Sequence, residues 1–159
     1  MKTISIEKAL ENDLPRIFQL LEQVNMHHIP SGEMDALTFE NYFVARMDGK
    51  VVGFCGYKIL SATLAKTELM AVDKEYRKYG IGFKLQTRRM EEMLKRGIEK
   101  LVTNTDLSQT IAWYKKHFGY REVGRLKKVC EFSSPDIDHW TTLETDLVQW
   151  CKERQKEQV

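Results

Sequence analysis

Met70-Ala71-Val72-Asp73-Lys74-Glu75-Tyr76-Arg77-Lys78-Tyr79-Gly80-Ile81-Gly82 passes from an apolar run through a charged turn to a pair of glycines. Beyond it, Phe83, Thr87, Met90 and Leu94 recur at spacings of four, three and four, which predicts a helix with that stripe facing inward and charged residues over its other side. The order is therefore strand, glycine turn, helix. Glycines there let the main chain approach a ligand where a Cβ would obstruct it. The N–H groups of Arg77, Lys78, Tyr79, Gly80, Ile81 and Gly82, together with the positive end of the helix dipole, then form a donor set suited to a phosphate or pyrophosphate. The run is not a Walker loop, since no Gly-Lys-Ser/Thr follows, and it lacks the third glycine of a dinucleotide fingerprint. Two glycines alone would better suit a tight turn that packs helix on strand.

Outward from this run, residues 3–6 read as a strand and residues 13–24 as an amphipathic helix. Leu14, Ile17, Phe18, Leu20, Leu21 and Val24 lie at helical spacing behind Asn12-Asp13, with Pro15 in the first turn. Residues 25–38 mix turn formers with Met and Ile and read as a partly helical loop. Residues 39–46 and 50–60 are joined by Met47-Asp48-Gly49, which predicts a β-hairpin, and residues 62–72 supply the strand that enters the charged turn. Downstream, Gly97 sits where a helix end wants a left-handed residue, before a short buried strand at 101–105. Ile111, Tyr114 and Phe118 mark a helix over 108–118, with Ser108 as its expected N-cap and Gly119 as its stop. Two closing strands at 120–132 and 138–145 flank the turn Ser133-Ser134-Pro135-Asp136, and from Thr145 onward Leu147, Trp150 and Cys151 share one side of a last helix. This order predicts an α+β fold: a mixed, mostly antiparallel central sheet flanked by helices, with one parallel crossover.

At 159 residues, 42% apolar and 30% charged, the chain fits a single domain over 1–159 with a helical tail from about 146, and the composition excludes collagen-like and disordered classes. No internal repeat is present. A net charge of +2, dispersed along the chain, argues against a nucleic-acid partner. The absence of a long apolar run argues against a membrane span or secretory signal, so a cytoplasmic protein is expected. Cys55, Cys130 and Cys151 lie far apart without metal-ligand spacing and read as reduced thiols, and no metal spacing joins the four histidines.

The run of residues 70–82 resembles the acetyl-CoA motif of the GCN5-related N-acetyltransferase (GNAT) superfamily, whose loop reads Arg/Gln-x-x-Gly-x-Gly/Ala. The segment Ile111-Ala112-Trp113-Tyr114-Lys115-Lys116-His117-Phe118-Gly119-Tyr120 resembles the tyrosine-bearing helix and following glycine-aromatic pair of the same family. The order of elements agrees from the first strand to about Thr145. This chain departs from the pattern at Lys74, where proline is common, at Lys78, where glycine often follows the arginine, and by one extra residue between Tyr114 and Gly119. The donor loop survives all three.

The resemblance implies acetyl-CoA as acyl-donor cosubstrate, with no metal. Main-chain groups of Met70, Ala71 and Val72 would bind the pantetheine arm, the loop from Arg77 to Gly82 the pyrophosphate, and the thioester would enter between Met70 and about Asn104. It implies direct attack of a neutral amine on the thioester, with Tyr114 as general acid to the leaving thiolate. A core aromatic with a satisfied hydroxyl is the alternative role for Tyr114. Glu68, on the strand face of Met70 and Val72, is the first choice of general base, against a merely solvated carboxylate or one paired with Lys66. His27 and His28 lie in the loop that would border the acceptor and are substrate-site candidates; His117 is expected to decorate its helix, and His139 with Trp140 could line the acceptor side.

The activity expected is acetyl transfer from acetyl-CoA to a primary amine, preferentially on a small molecule. A protein acceptor, at an N-terminus or a lysine, stays open, as do a longer acyl donor and a non-catalytic acyl-CoA-binding regulatory module on the same fold. The resemblance is compatible with a homodimer without placing its interface.

Overall fold

The computed structural model describes residues 3–24, 39–128 and 133–157. The expected loop at 25–38, with His27 and His28, lies outside the described residues, as does Cys130. The chain forms two compact units, Met1–Tyr57 with Glu68–Arg89, and Lys58–Thr67 with Met90–Val159. The described strands, β1 (Ile4–Lys8), β2 (Tyr42–Met47), β3 (Lys50–Ile59), β4 (Leu64–Val72), β5 (Lys100–Thr105), β6 (Arg121–Lys127) and β7 (His139–Asp146), form a sheet in the order β1-β2-β3-β4-β5-β7-β6, mixed and mostly antiparallel as the sequence predicts.

In the first unit, β1 (Ile4–Lys8) pairs antiparallel with β2 (Tyr42–Met47), from Ile4 opposite Met47 to Lys8 opposite Phe43. The hairpin joins β2 to β3 (Lys50–Ile59) through Asp48 at φ 53° and Gly49 at φ 79°. Two consecutive left-handed residues give the turn whose twist matches paired strands. Tyr42 to Ala45 and Val51 to Tyr57 are buried, which explains why these runs are apolar without strict alternation. Gly56 stands opposite Tyr42, and a Cβ there would come within 2.5 Å of the Tyr42 ring. The helix α1 (Leu14–Gln23) buries Ile17, Leu20 and Leu21 but turns Phe18 outward, at 39% exposed.

The strand β4 (Leu64–Val72) ends in this unit and feeds, through a tight helical turn at Lys74–Tyr79, into α2 (Ile81–Lys95). The expected inward stripe of α2 holds at Met90, which is fully buried, is half-met at Thr87 and Leu94, and is corrected at Phe83. Phe83 is 46% exposed, and the buried line runs through Ile81, Leu85, Gln86 and Arg89. Ile81 and Leu85 lie within 3.2 Å of where a Gly53 Cβ would stand, so the helix is phased by its approach to β3 rather than by its own largest apolar residue.

In the second unit, β4 runs parallel to β5 (Lys100–Thr105), with Leu64, Ala65 and Lys66 opposite Lys100, Leu101 and Val102. Next come α3 (Ser108–Phe118), β6 (Arg121–Lys127), β7 (His139–Asp146) and α4 (Leu147–Glu157). The strand β7 pairs antiparallel with β5, from Lys100 opposite Asp146 to Thr105 opposite Thr141, and on its other side with β6. Gly97 and Gly119 take φ 84° and 68°, the left-handed helix ends expected of them. Ser108 opens α3 as its first helical residue behind Leu107, so the cap expected of Ser108 does not form. The helix α4 buries Leu147 and Trp150 and leaves Cys151 half-buried; Arg154 stacks 4.5 Å over Trp150 and approaches Glu91. Among the described residues, no helix is long and apolar enough to cross a membrane.

Candidate active site

The glycine turn is anchored from beneath by Asp73. Its amide donates to Val52 O at 2.8 Å, its carboxylate accepts from the Glu75 amide at 3.1 Å, and Arg16 Nη2 on α1 reaches Asp73 Oδ2 at 2.5 Å. Arg16 is fixed in turn by donating Nε to Val51 O at 2.9 Å, while Gln23 Oε1 accepts the Lys74 amide at 3.1 Å. Burial alone would raise the Asp73 carboxyl, but the Glu75 amide and the Arg16 guanidinium outweigh it and hold the group below the usual aspartate range. The start of the turn is thus set by polar contacts around the buried Asp73.

Arg77, Lys78, Tyr79 and Gly80 are exposed, Gly80 is left-handed at φ 70°, Ile81 is buried and Gly82 half-buried. The helix begins with Lys84 N donating to Gly80 O at 3.2 Å, the first bond of a fifteen-residue helix, and the first amides of a helix find no acceptor within the helix itself. Gly80 is explained by its backbone angle. Gly82 is not: it is helical, and among the described residues an added Cβ would meet only Val72 Cγ2, at 3.9 Å. Neither strain nor crowding among the described residues calls for glycine there, although glycine weakens a helix by about 1 kcal/mol relative to alanine. The residue types and the helix N-terminus fit an incoming diphosphate, and no packing among the described residues accounts for Gly82.

Along β4, Glu68, Met70 and Val72 share a half-buried face while Leu69 and Ala71 are buried, the alternation expected of them. Arg77 Nε lies 3.5 Å from Val72 O. Sequence reasoning missed what lies beneath this strand. Arg89, fully buried, donates Nη1 to Glu68 O at 3.2 Å and to Gly56 O at 2.9 Å, and both Nε, at 3.0 Å, and Nη2 donate to Gln86 Oε1. Burial raises the Tyr42 phenol and the Glu68 charge raises it further, against a lowering by Arg89; burial also pushes the Cys55 thiol up to about 11. Counting the helical phase from Ile81 instead of Phe83 would have placed Arg89 on the inward line.

Tyr114 and Asn104 belong to the second unit. Tyr114 is 5% exposed, with its ring edge-on to Trp113 at 5.0 Å and to Tyr120 at 4.9 Å. Asn104 Oδ1 accepts from Thr142 Oγ1 at 2.6 Å. Just beyond β5, buried Asp106 accepts from Lys128 Nζ at 3.0 Å, from Ser133 Oγ at 3.2 Å and from the Ser134 amide at 2.9 Å, tying the β6–β7 connection to the end of β5. Lys128 also lies 4.5 Å over Trp140. His117 is exposed on α3, and His139 contacts Asp138 at 3.2 Å. A groove of about 280 Å³ lined by Lys100, Gly119, Arg121, Glu144 and Asp146 contains none of the expected site residues.

The family model described as the acetyltransferase (GNAT) family matches residues 7–120. Among solved structures, the ribosomal-protein-S18-alanine N-acetyltransferase of Escherichia coli is 22% identical with a TM-score of 0.70, over 92% of this chain and 94% of that one. An IAA acetyltransferase of Bacillus cereus is 20% identical with a TM-score of 0.72, over 91% and 99%. A Mycobacterium tuberculosis protein solved in complex with CoA is 17% identical with a TM-score of 0.68, over 89% and 98%. At these identities the likeness is one of fold. No match is found among curated protein sequences.

Proposed function

Because the chain belongs to the acetyltransferase (GNAT) family, we propose that it transfers an acetyl group from acetyl-CoA to a primary amine, preferentially on a small molecule, by direct attack. The observation that carries this reading is Gly82 in the first turn of α2, where an added Cβ would meet only Val72 Cγ2 among the described residues. Main-chain donors from Arg77 to Gly82 hold the pyrophosphate, and Met70 to Val72 offer strand-edge groups to the pantetheine arm.

In the reaction the amine nitrogen forms a bond to the thioester carbonyl carbon, the C–S bond breaks, and the thiolate must gain a proton while the ammonium loses one. Glu68 takes the amine proton, directly or through water, and Tyr114 supplies the thiolate proton. The half-buried face of β4 supports the first assignment. Asn104 is assigned to the donor side, and His27 and His28 to the acceptor side.

The burial of Tyr114 among Trp113 and Tyr120 favours one competing reading, a binding module in which that residue is core. Amine-dependent release of free CoA thiol separates the two. A screen over polyamines, amino acids, aminosugars and peptides, with mass spectrometry of products, is expected to give an acetylated small amine. Acetylated peptides alone would move the acceptor to protein, preference for succinyl- or propionyl-CoA would change the donor, and CoA binding without release on any amine would contradict catalysis.

A further inference from the structure

Arg89 is the largest fully buried side chain of the described residues, and the acetyl-transfer chemistry leaves it without a role. A guanidinium taken out of water is retained only where its donors are matched. Here they are directed with a purpose. One nitrogen bridges carbonyls of two strands, Gly56 O at 2.9 Å and Glu68 O at 3.2 Å, while Gln86 Oε1, one turn earlier on the same helix, holds the other two. The bridged β4 carbonyl is that of the very residue assigned as base.

The surrounding groups make one electrostatic neighbourhood. Tyr42 on β2, whose ring occupies the space above Gly56, senses both the Glu68 and the Arg89 charges, and Cys55 on β3 senses Arg89 and Arg88. Tyr42, Cys55, Glu68, Arg88 and Arg89 are the titratable and charged groups concerned, with Gln86 as the neutral tether.

We propose that Arg89 is a positioning residue for Glu68: its guanidinium pins the β4 main chain at that residue, and its positive charge holds the base ionised and in place. This rests on the assignment of Glu68 as general base.

The test is a carbon-13 titration of the full chain labelled at glutamate Cδ, with Glu68→Gln identifying the Glu68 resonance. In Arg89→Lys the Glu68 midpoint is expected to stay near that of the wild type. In Arg89→Met, and in Arg89→Gln, which keeps donors without the charge, it should rise by roughly one to three pH units. Unchanged midpoints in both neutral variants would overturn the proposal. A second measurement needs no change at Arg89: its guanidinium nitrogen resonances in the wild type should move as Glu68 titrates and lose that step in Glu68→Gln, and silence there also overturns it. The base assignment fails separately, if Glu68→Gln retains amine-dependent thiol release, an outcome the titrations do not depend on.

Discussion

Arg16 on α1 and Asp73 at the end of β4 meet at 2.5 Å, 57 residues apart in sequence, and that contact fixes where the charged turn begins. Asp73 is nearly buried and caps the turn through the Glu75 amide. Asp73→Ala should therefore lower stability by about 1–3 kcal/mol, by loss of the cap and by leaving Arg16 without its partner. Asp73→Asn should cost less. Because the folded carboxyl sits below its ordinary value of 3.8, its contribution is present above that value and disappears as pH falls through the depressed folded value. Urea unfolding across an acid pH series should show this loss in the wild type and a flatter profile in Asp73→Asn.

The same substitution should act in opposite directions at two glycines. Gly82→Ala adds a Cβ with only one neighbour, at 3.9 Å, to a helix, so thermal stability should hold or rise by up to about 1 kcal/mol while affinity for CoA falls. Gly56→Ala would drive a Cβ into the Tyr42 ring and should lower stability by about 1–3 kcal/mol. Melting curves with and without CoA measure both.

Alkaline pH tests the core around Arg89. The folded Cys55 thiol is raised from 9.0 to about 11, chiefly by burial, so its contribution is complete below pH 9.0, declines above it and is gone past about 11. Tyr42 acts in the same sense at still higher pH. Stability should fall over this window, and Cys55→Ala should remove the first part of the fall.

If Tyr114 delivers the thiolate proton, Tyr114→Phe should cut turnover by about 10²-fold or more with little change in KM for acetyl-CoA or in melting temperature. The ring contacts with Trp113 and Tyr120 survive that change. Unaltered turnover would return Tyr114 to the core.

What could be read from residues alone followed from local chemistry. Asp48-Gly49 specified the hairpin through two left-handed positions, and Gly97 and Gly119 marked helix ends for the same reason. The face of α2 was misread because hydrophobicity ranks Phe83 above Arg89, whereas burial depends on partners distant in sequence: the carbonyls of Gly56 and Glu68 accept what a sequence pattern would send to solvent. Ser108 failed as a cap because α3 starts one residue early, a boundary that backbone geometry decides. The donor loop was legible as a motif, but only the emptiness around a Gly82 Cβ separates a ligand-shaped glycine from one demanded by packing.

The most direct measurement is isothermal titration of the folded protein with CoA, alongside Gly82→Glu. Saturable heat with one CoA per chain is expected, and its loss in a Gly82→Glu variant that melts at the wild-type temperature. Absence of heat from the well-folded wild type, or equal binding by both proteins, would contradict the claim that the main-chain amides at the start of α2 hold the diphosphate.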